Sequence, residues 1–162
     1  RTLLLIAAAH GHKQLVELLL KRGAETDARD GKDCTALMAA ARWGYGQTAL
    51  MAAAAKGHER VAEMLLRHGA GINLQDREGC TALMAAAAVS GKVQVVETLL
   101  KRGAEINLQE SGGGTALMFA ALQGQEHVIE LLLRHGAEVD LQDIDGHTAL
   151  TAAACYDRPV VV

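Results

Sequence analysis

Residues 48–76 read T-A-L-M-A-A-A-A-K-G-H-E-R-V-A-E-M-L-L-R-H-G-A-G-I-N-L-Q-D, and this stretch decides the fold. Thr48 precedes an Ala/Leu/Met run and suits a helix N-cap, where its hydroxyl meets orphan backbone N–H groups. Ala49 to Lys56 reads as a short first helix that Gly57 stops. Glu59 to Arg67 reads as a second helix, with Ala62, Leu65 and Leu66 at i, i+3 and i+4 on one face. Glu63 and Arg67 stand at i, i+4 in the favourable order. Gly69 ends this helix, and Arg67 and His68 sit where the helix dipole prefers cations. Gly71 to Gly79 is polar and rich in turn residues, which makes an extended loop or hairpin.

The unit recurs. Thr2, Thr35, Thr48, Thr81, Thr115 and Thr148 open six copies. One interval separates Thr2 from Thr35, Thr48 from Thr81 and Thr115 from Thr148. Thr81 to Thr115 is one position longer, and Thr35 to Thr48 is far shorter. A fixed period of about 33 means a solenoid, because each unit is one supersecondary element that buries its apolar face only against its neighbours. The second-helix stripe returns as Val16, Leu19, Leu20, as Val96, Leu99, Leu100 and as Ile129, Leu132, Leu133. The Glu-to-base pair returns as Glu17–Lys21, Glu97–Lys101 and Glu130–Arg134, which marks the solvent face. The units run about 1–29, 30–45 (truncated), 46–75, 76–109, 110–142 and 143–162 (truncated), in one array with no second domain. The short step from Thr35 to Thr48 lacks a second helix and most of a hairpin. It reads either as the larger part of a unit missing from the sequence or as a true deletion with a local break in the stack. The last unit stops inside its second helix, so the chain reads as a fragment of a longer array.

Composition agrees. Half of the 162 residues are apolar, but only 2% are aromatic, so Ala and Leu dominate. Small side chains suit thin, closely stacked helices. A net charge of −3 exerts no long-range pull on nucleic acid or anionic membranes. The apolar runs fall far short of the roughly 20 residues that span a bilayer. Cys34, Cys80 and Cys155 are odd in number and share no metal-type spacing. They read as reduced thiols of a cytoplasmic protein, with the nucleus as the other compartment.

These motifs resemble the ankyrin repeat. The matching stretches include D-R-E-G-C-T-A-L-M-A-A-A from Asp76 and L-L-R-H-G-A-E-V-D from Leu132. The resemblance implies an all-α solenoid of stacked helix-turn-helix units with short projecting hairpin loops. It also implies a protein partner on the concave face of the first helices and on the hairpin tips. Departures are systematic. The family Pro is Ala36, Ala49, Ala82, Ala116 and Ala149. The family His is Met38, Met51, Met84 and Met118, which is expected to offer only adaptable packing. Asp33 replaces the turn Gly before Thr35.

Enzyme signatures are nearly absent. Ser90 and Ser111 are the only serines, and neither has a base and an orienting group beside it. No H-E-x-x-H, Walker A or strand-borne G-x-G-x-x-G occurs. Gly112–Gly114 reads as a loose hairpin tip rather than an anion cradle. The seven histidines recur by period or at helix ends, so no metal site, no cofactor and no small-molecule substrate are expected. The basic ladder of Lys21, Arg67, Lys101 and Arg134 closes helix dipoles. With almost no aromatic interleaving it does not read as a nucleic-acid face.

The resemblance carries the partner face onto two sets of positions. The first-helix set is His10, Arg42, Trp43, Lys56, Val89, Leu122, Gln123 and Tyr156, with Tyr45 beside it. The tip set is Arg29, Lys32, Arg77, Glu78, Ser111, Ile144 and His147. Trp, Tyr and Arg are the usual energetic anchors of interfaces, which singles out Arg42–Trp43. Trp43 reads equally as filler against a neighbouring helix, and Phe119 reads as core. Two roles are expected: a non-catalytic protein–protein interaction scaffold, or the targeting segment of a larger enzyme such as a kinase or ubiquitin ligase.

Overall fold

A computed structural model describes residues 3–29, 46–89 and 91–155. The described residues form helices and no strand. In chain order these are α1 Leu3–Ala9, α2 Lys13–Lys21, α3 Ala49–Lys56, α4 Glu59–Arg67, α5 Ala82–Ala87, α6 Val93–Lys101, α7 Ala116–Leu122, α8 Glu126–Arg134 and α9 Ala149–Cys155. Helices this short, down to the two turns of α5, are unstable alone, so each depends on its neighbours.

Two layers result. The first helices pack in a row, α1 on α3, α3 on α5, α5 on α7 and α7 on α9. The second helices form a parallel row, α2 on α4, α4 on α6 and α6 on α8, and each packs on the first helix of its own unit. Alanine fits where a helix is flanked on several sides. Every residue of α5 is buried. The larger apolar side chains, Val61, Leu65, Val96, Leu99 and Leu132, fill the space between the rows.

The threonines cap as their position requires. Thr48, Thr81 and Thr115 accept from the backbone N–H three positions on, at 3.4, 3.3 and 3.2 Å. Met51 does more than pack. Its sulfur accepts the Thr48 N–H at 3.5 Å, completing a reciprocal cap, and the Thr151 hydroxyl does the same for Thr148 at 2.7 Å.

Each fully described loop between a second helix and the next first helix forms a finger, and the fingers are tied to one another. Asn73 donates to Glu105 Oε1 and accepts the Glu105 N–H, both at 2.9 Å. Asn107 and Glu138 repeat the exchange at 3.0 Å. Gln75 donates to the Gly79 carbonyl in its own finger and to the Gln109 carbonyl in the next. Gln109 likewise serves Gly113 and Gln142.

Arg29 occupies the same place in this ladder. Its Nη1 donates to the Gly46 carbonyl at 3.5 Å and to the Gln75 carbonyl at 2.6 Å. Asp27 accepts the Gly71 N–H at 2.9 Å, as Asn73 accepts that of Glu105. His58 Nε2 meets the Ala9 carbonyl at 3.1 Å, and Gln125 Nε2 likewise donates to the Ala87 carbonyl. The unit holding α1 and α2 therefore stacks directly on the unit holding α3 and α4, with no break between them. The short step from Thr35 to Thr48 lies, up to residue 45, outside the described residues.

Candidate partner-binding face

The finger tips and the ends of the first helices converge on one side of the stack. The finger of residues 110–114, α7, the finger of residues 143–147 and α9 enclose a cleft of about 320 Å³. Its floor is Met118, Phe119, Leu122 and Ala152, and its walls are Glu110, Asp143, Asp145 and His147.

The walls are held by their own acids. Glu110 accepts the N–H groups of Gly112 and Gly114, both at 2.8 Å. Asp143 Oδ1 accepts those of Asp145 and His147 at 2.9 and 2.8 Å. The His147 N–H above all, helped by that of Asp145 and by the His147 charge, holds the Asp143 carboxyl below its usual range against the opposing effect of burial. Gly113 has φ +80°, which an L-residue adopts only with strain. A Cβ on it would lie 2.7 Å from Asp143 Cα. The Gly112–Gly114 tip is thus pinned rather than loose, because its neighbour leaves no room for a side chain.

Tip meets tip along the row. Ser111 donates its N–H and its hydroxyl to the Glu78 carbonyl at 2.7 and 2.6 Å. The Ile144 N–H donates to the Gly112 carbonyl at 2.9 Å. Their side chains are placed outward: Arg77, Glu78, Ser111 and His147 are exposed, and Ile144 is 77% exposed. Arg29 turns its guanidinium inward to the ladder.

The first-helix set is presented more variably. Lys56 ends α3 and Gln123 caps α7, both exposed. Leu122 and Val89 are half-buried. His10 is exposed, bonded to the Ile6 carbonyl at 2.9 Å and stacked on the His12 ring. Lys32, Arg42, Trp43, Tyr45 and Tyr156 lie outside the described residues. The structure thus brings Leu122 and His147 together around the cleft, with Ile144 exposed on the same finger as His147, and leaves His10 and Lys56 further along the row. Phe119 is half-buried in the cleft floor rather than enclosed in the core. Glu110, Asp143 and Asp145 escaped the sequence reading. The signal for Glu110 and Asp143 was the acid three positions before each finger glycine, as in Asp76–Gly79, Glu110–Gly113 and Asp143–Gly146.

Asp143, Asp145 and His147 bring potential ligand atoms within 4.8 Å of one another. Asp143 Oδ1 accepts two backbone N–H groups and Oδ2 faces His147 Nδ1 at 3.4 Å, so the group is accounted for as a turn. Cys80 is buried just before α5. Burial, then the charges of Asp76, Glu110 and Glu78, push its thiol up to about 12, which makes it a poor nucleophile at neutral pH. No helix among the described residues is long and apolar enough to cross a membrane.

Comparison with known proteins agrees with this architecture. A family model for ankyrin repeats in three copies matches residues 44–110 and 88–162, and one for ankyrin repeats in many copies matches residues 4–52. No curated protein matches the chain.

Proposed function

The chain belongs to the ankyrin-repeat family, and on that premise we propose that it is a non-catalytic scaffold binding a partner protein across its finger tips and first-helix ends. Ankyrin repeats are in general protein–protein interaction modules. The observation that carries the reading is the cleft between the last two described fingers. There a half-buried Phe119 and Leu122 form an apolar floor, and Ile144 stands exposed on the adjoining finger tip. Partly desolvated apolar floors with polar rims are what interface anchors fill. The rigid fingers lower the ordering cost of binding, since their tips are already bonded to one another.

The test is affinity capture from lysate with mass spectrometry, comparing the parent with a Leu122→Asp/Ile144→Asp variant whose fold is checked by circular dichroism. The expected result is a set of proteins held by the parent and lost by the folded variant. An unchanged set would move recognition to another surface. A parallel Arg42→Ala/Trp43→Ala variant tests the anchor pair that the resemblance singles out.

A further inference from the structure

Phe119 breaks the pattern of its own row. Counted from the capping threonine, the same place is Ala52 in α3, Ala85 in α5 and Ala152 in α9. Leu122 breaks it again, where α1 and α3 end on Ala9 and Ala55. Alanine is enough to close the row, since Ala52, Ala55 and Ala85 are buried in it. The two larger side chains instead line the cleft between the fingers of residues 110–114 and 143–147, both half-buried.

The finger beside Phe119 is built from glycine. Gly114 stands where the other fingers have Cys80 and His147. A Cβ on Gly114 would lie 3.3 Å from Phe119 Cζ and 2.9 Å from Glu110 Oε1. The end of the ring and a carboxylate oxygen therefore adjoin, with no side chain from that position between them.

The walls are acidic. Glu110, Asp143 and Asp145 stand there with a single histidine, His147, so the cleft keeps a net negative charge even when that imidazole is protonated. Backbone N–H groups hold Glu110 and Asp143 in place without neutralising them. Asp145 is exposed, and among the described residues its carboxylate accepts no hydrogen bond.

We propose that this cleft takes an arginine side chain from the partner protein. The proposal rests on the partner-binding reading above and names the chemistry of one contact. Met118, Phe119 and Leu122 match the aliphatic stem. An aromatic ring attracts a cation, and a guanidinium also stacks on it flat. The guanidinium is more weakly hydrated than an ammonium, and its fork of donors serves carboxylates on both fingers, Glu110 on one and Asp145 on the other. A cleft of about 320 Å³ lies at the small end of the roughly 300–1,000 Å³ of ligand sites, so it suits one long side chain. An aliphatic side chain would use the floor and leave the acids without a counter-charge. An acidic one would be repelled.

The test is titration of the isotope-labelled protein with the peptide acetyl-Ala-Arg-Ala-amide, read from its amide NMR shifts. The same peptide with citrulline or lysine in place of arginine runs beside it. The arginine peptide is expected to move the amides of Gly112, Gly114, Leu122 and Asp145 saturably at millimolar concentration. Citrulline keeps the shape without the charge, and lysine keeps the charge without the fork. Each should bind at least threefold more weakly. Phe119→Ala carries the residue of three sister positions and so keeps the stack, and Asp145→Asn removes only an exposed charge. Each should weaken arginine binding at least threefold. The proposal is overturned if the arginine peptide moves none of these amides, if citrulline or lysine binds as tightly, or if either variant binds arginine as the parent does. Should the titration fail while lysate partners are still held by the parent and lost by Leu122→Asp/Ile144→Asp, the arginine falls and the partner-binding face stands.

Discussion

Leu83 and Leu150 stand at the same place in the same T-A-L motif, yet Leu83 is 1% exposed and Leu150 is 51% exposed. The second helices show the same contrast, with Leu100 at 8% and Leu133 at 42%. The interior units have a neighbour on both sides. Beside α9 the described residues leave an open groove of about 490 Å³ lined by Leu117, Ile129, Leu133, Val139 and Leu150. In a one-dimensional stack the neighbour supplies the burial, and identical side chains differ in worth according to which units flank them.

Truncation at the two leucines tests this contrast most strongly. Leu83→Ala should cost about 2–5 kcal/mol, the range for emptying a buried leucine site. Leu150→Ala should stay within about 0.5 kcal/mol, as surface changes do. Urea denaturation of both variants measures the gap, and equal losses would show that Leu150 is covered in solution.

The finger glycines give the next largest difference. Gly113 and Gly146 have φ of +80° and +81°. A Cβ on Gly113 meets Asp143 Cα at 2.7 Å, whereas one on Gly146 meets nothing within 4 Å. Gly146→Ala should cost roughly 1–2 kcal/mol of backbone strain. Gly113→Ala should cost clearly more, because backbone of the adjacent finger must also move. Thermal melts of the two variants sharpen the comparison. A ranking in the opposite order would break it.

Capping should differ less. Thr81 is buried and bonds the Met84 N–H, so Thr81→Ala should cost roughly 1 kcal/mol. Thr148 is only half-buried, and Thr148→Ala should cost less. Hydrogen exchange of the Met84 and Thr151 amides would report each cap directly.

The smallest effect expected is one of pH. The folded pKa of Asp143 lies below its ordinary value of 3.8. A depressed carboxylate pKa contributes stability that is present above the ordinary value and is lost as pH falls through the folded one. The melting temperature of the parent should therefore exceed that of Asp143→Asn at neutral pH, with the difference shrinking below pH 3.8. A difference that persists in strong acid would remove the charge from the explanation.

Much of the architecture was legible in advance. Thr48, Ala49–Lys56, Gly57 and Glu59–Arg67 were readable because capping, helix stop and apolar spacing are local and agree with one another. The ion pairs Glu17–Lys21, Glu63–Arg67 and Glu97–Lys101 follow from i, i+4 spacing and stand at 2.7, 2.7 and 2.6 Å. The cleft was only half legible. Leu122 and His147 were named from the resemblance, whereas Phe119 and the acids Glu110, Asp143 and Asp145 acquire their place only when two fingers lie side by side. The role of Met51 was missed because sulfur is a weak acceptor, and its use depends on the bend that Thr48 imposes.

The period by itself determined that this chain is a stack of two-helix units, because only neighbouring copies can cover the apolar stripe each unit carries. The period did not determine what packs beside α1, because the step from Thr35 to Thr48 breaks it there. Tertiary structure placed α3 on α1, with Arg29 reaching Gly46 and Gln75. Local propensity cannot make that choice, because it depends on contacts between residues distant in the chain.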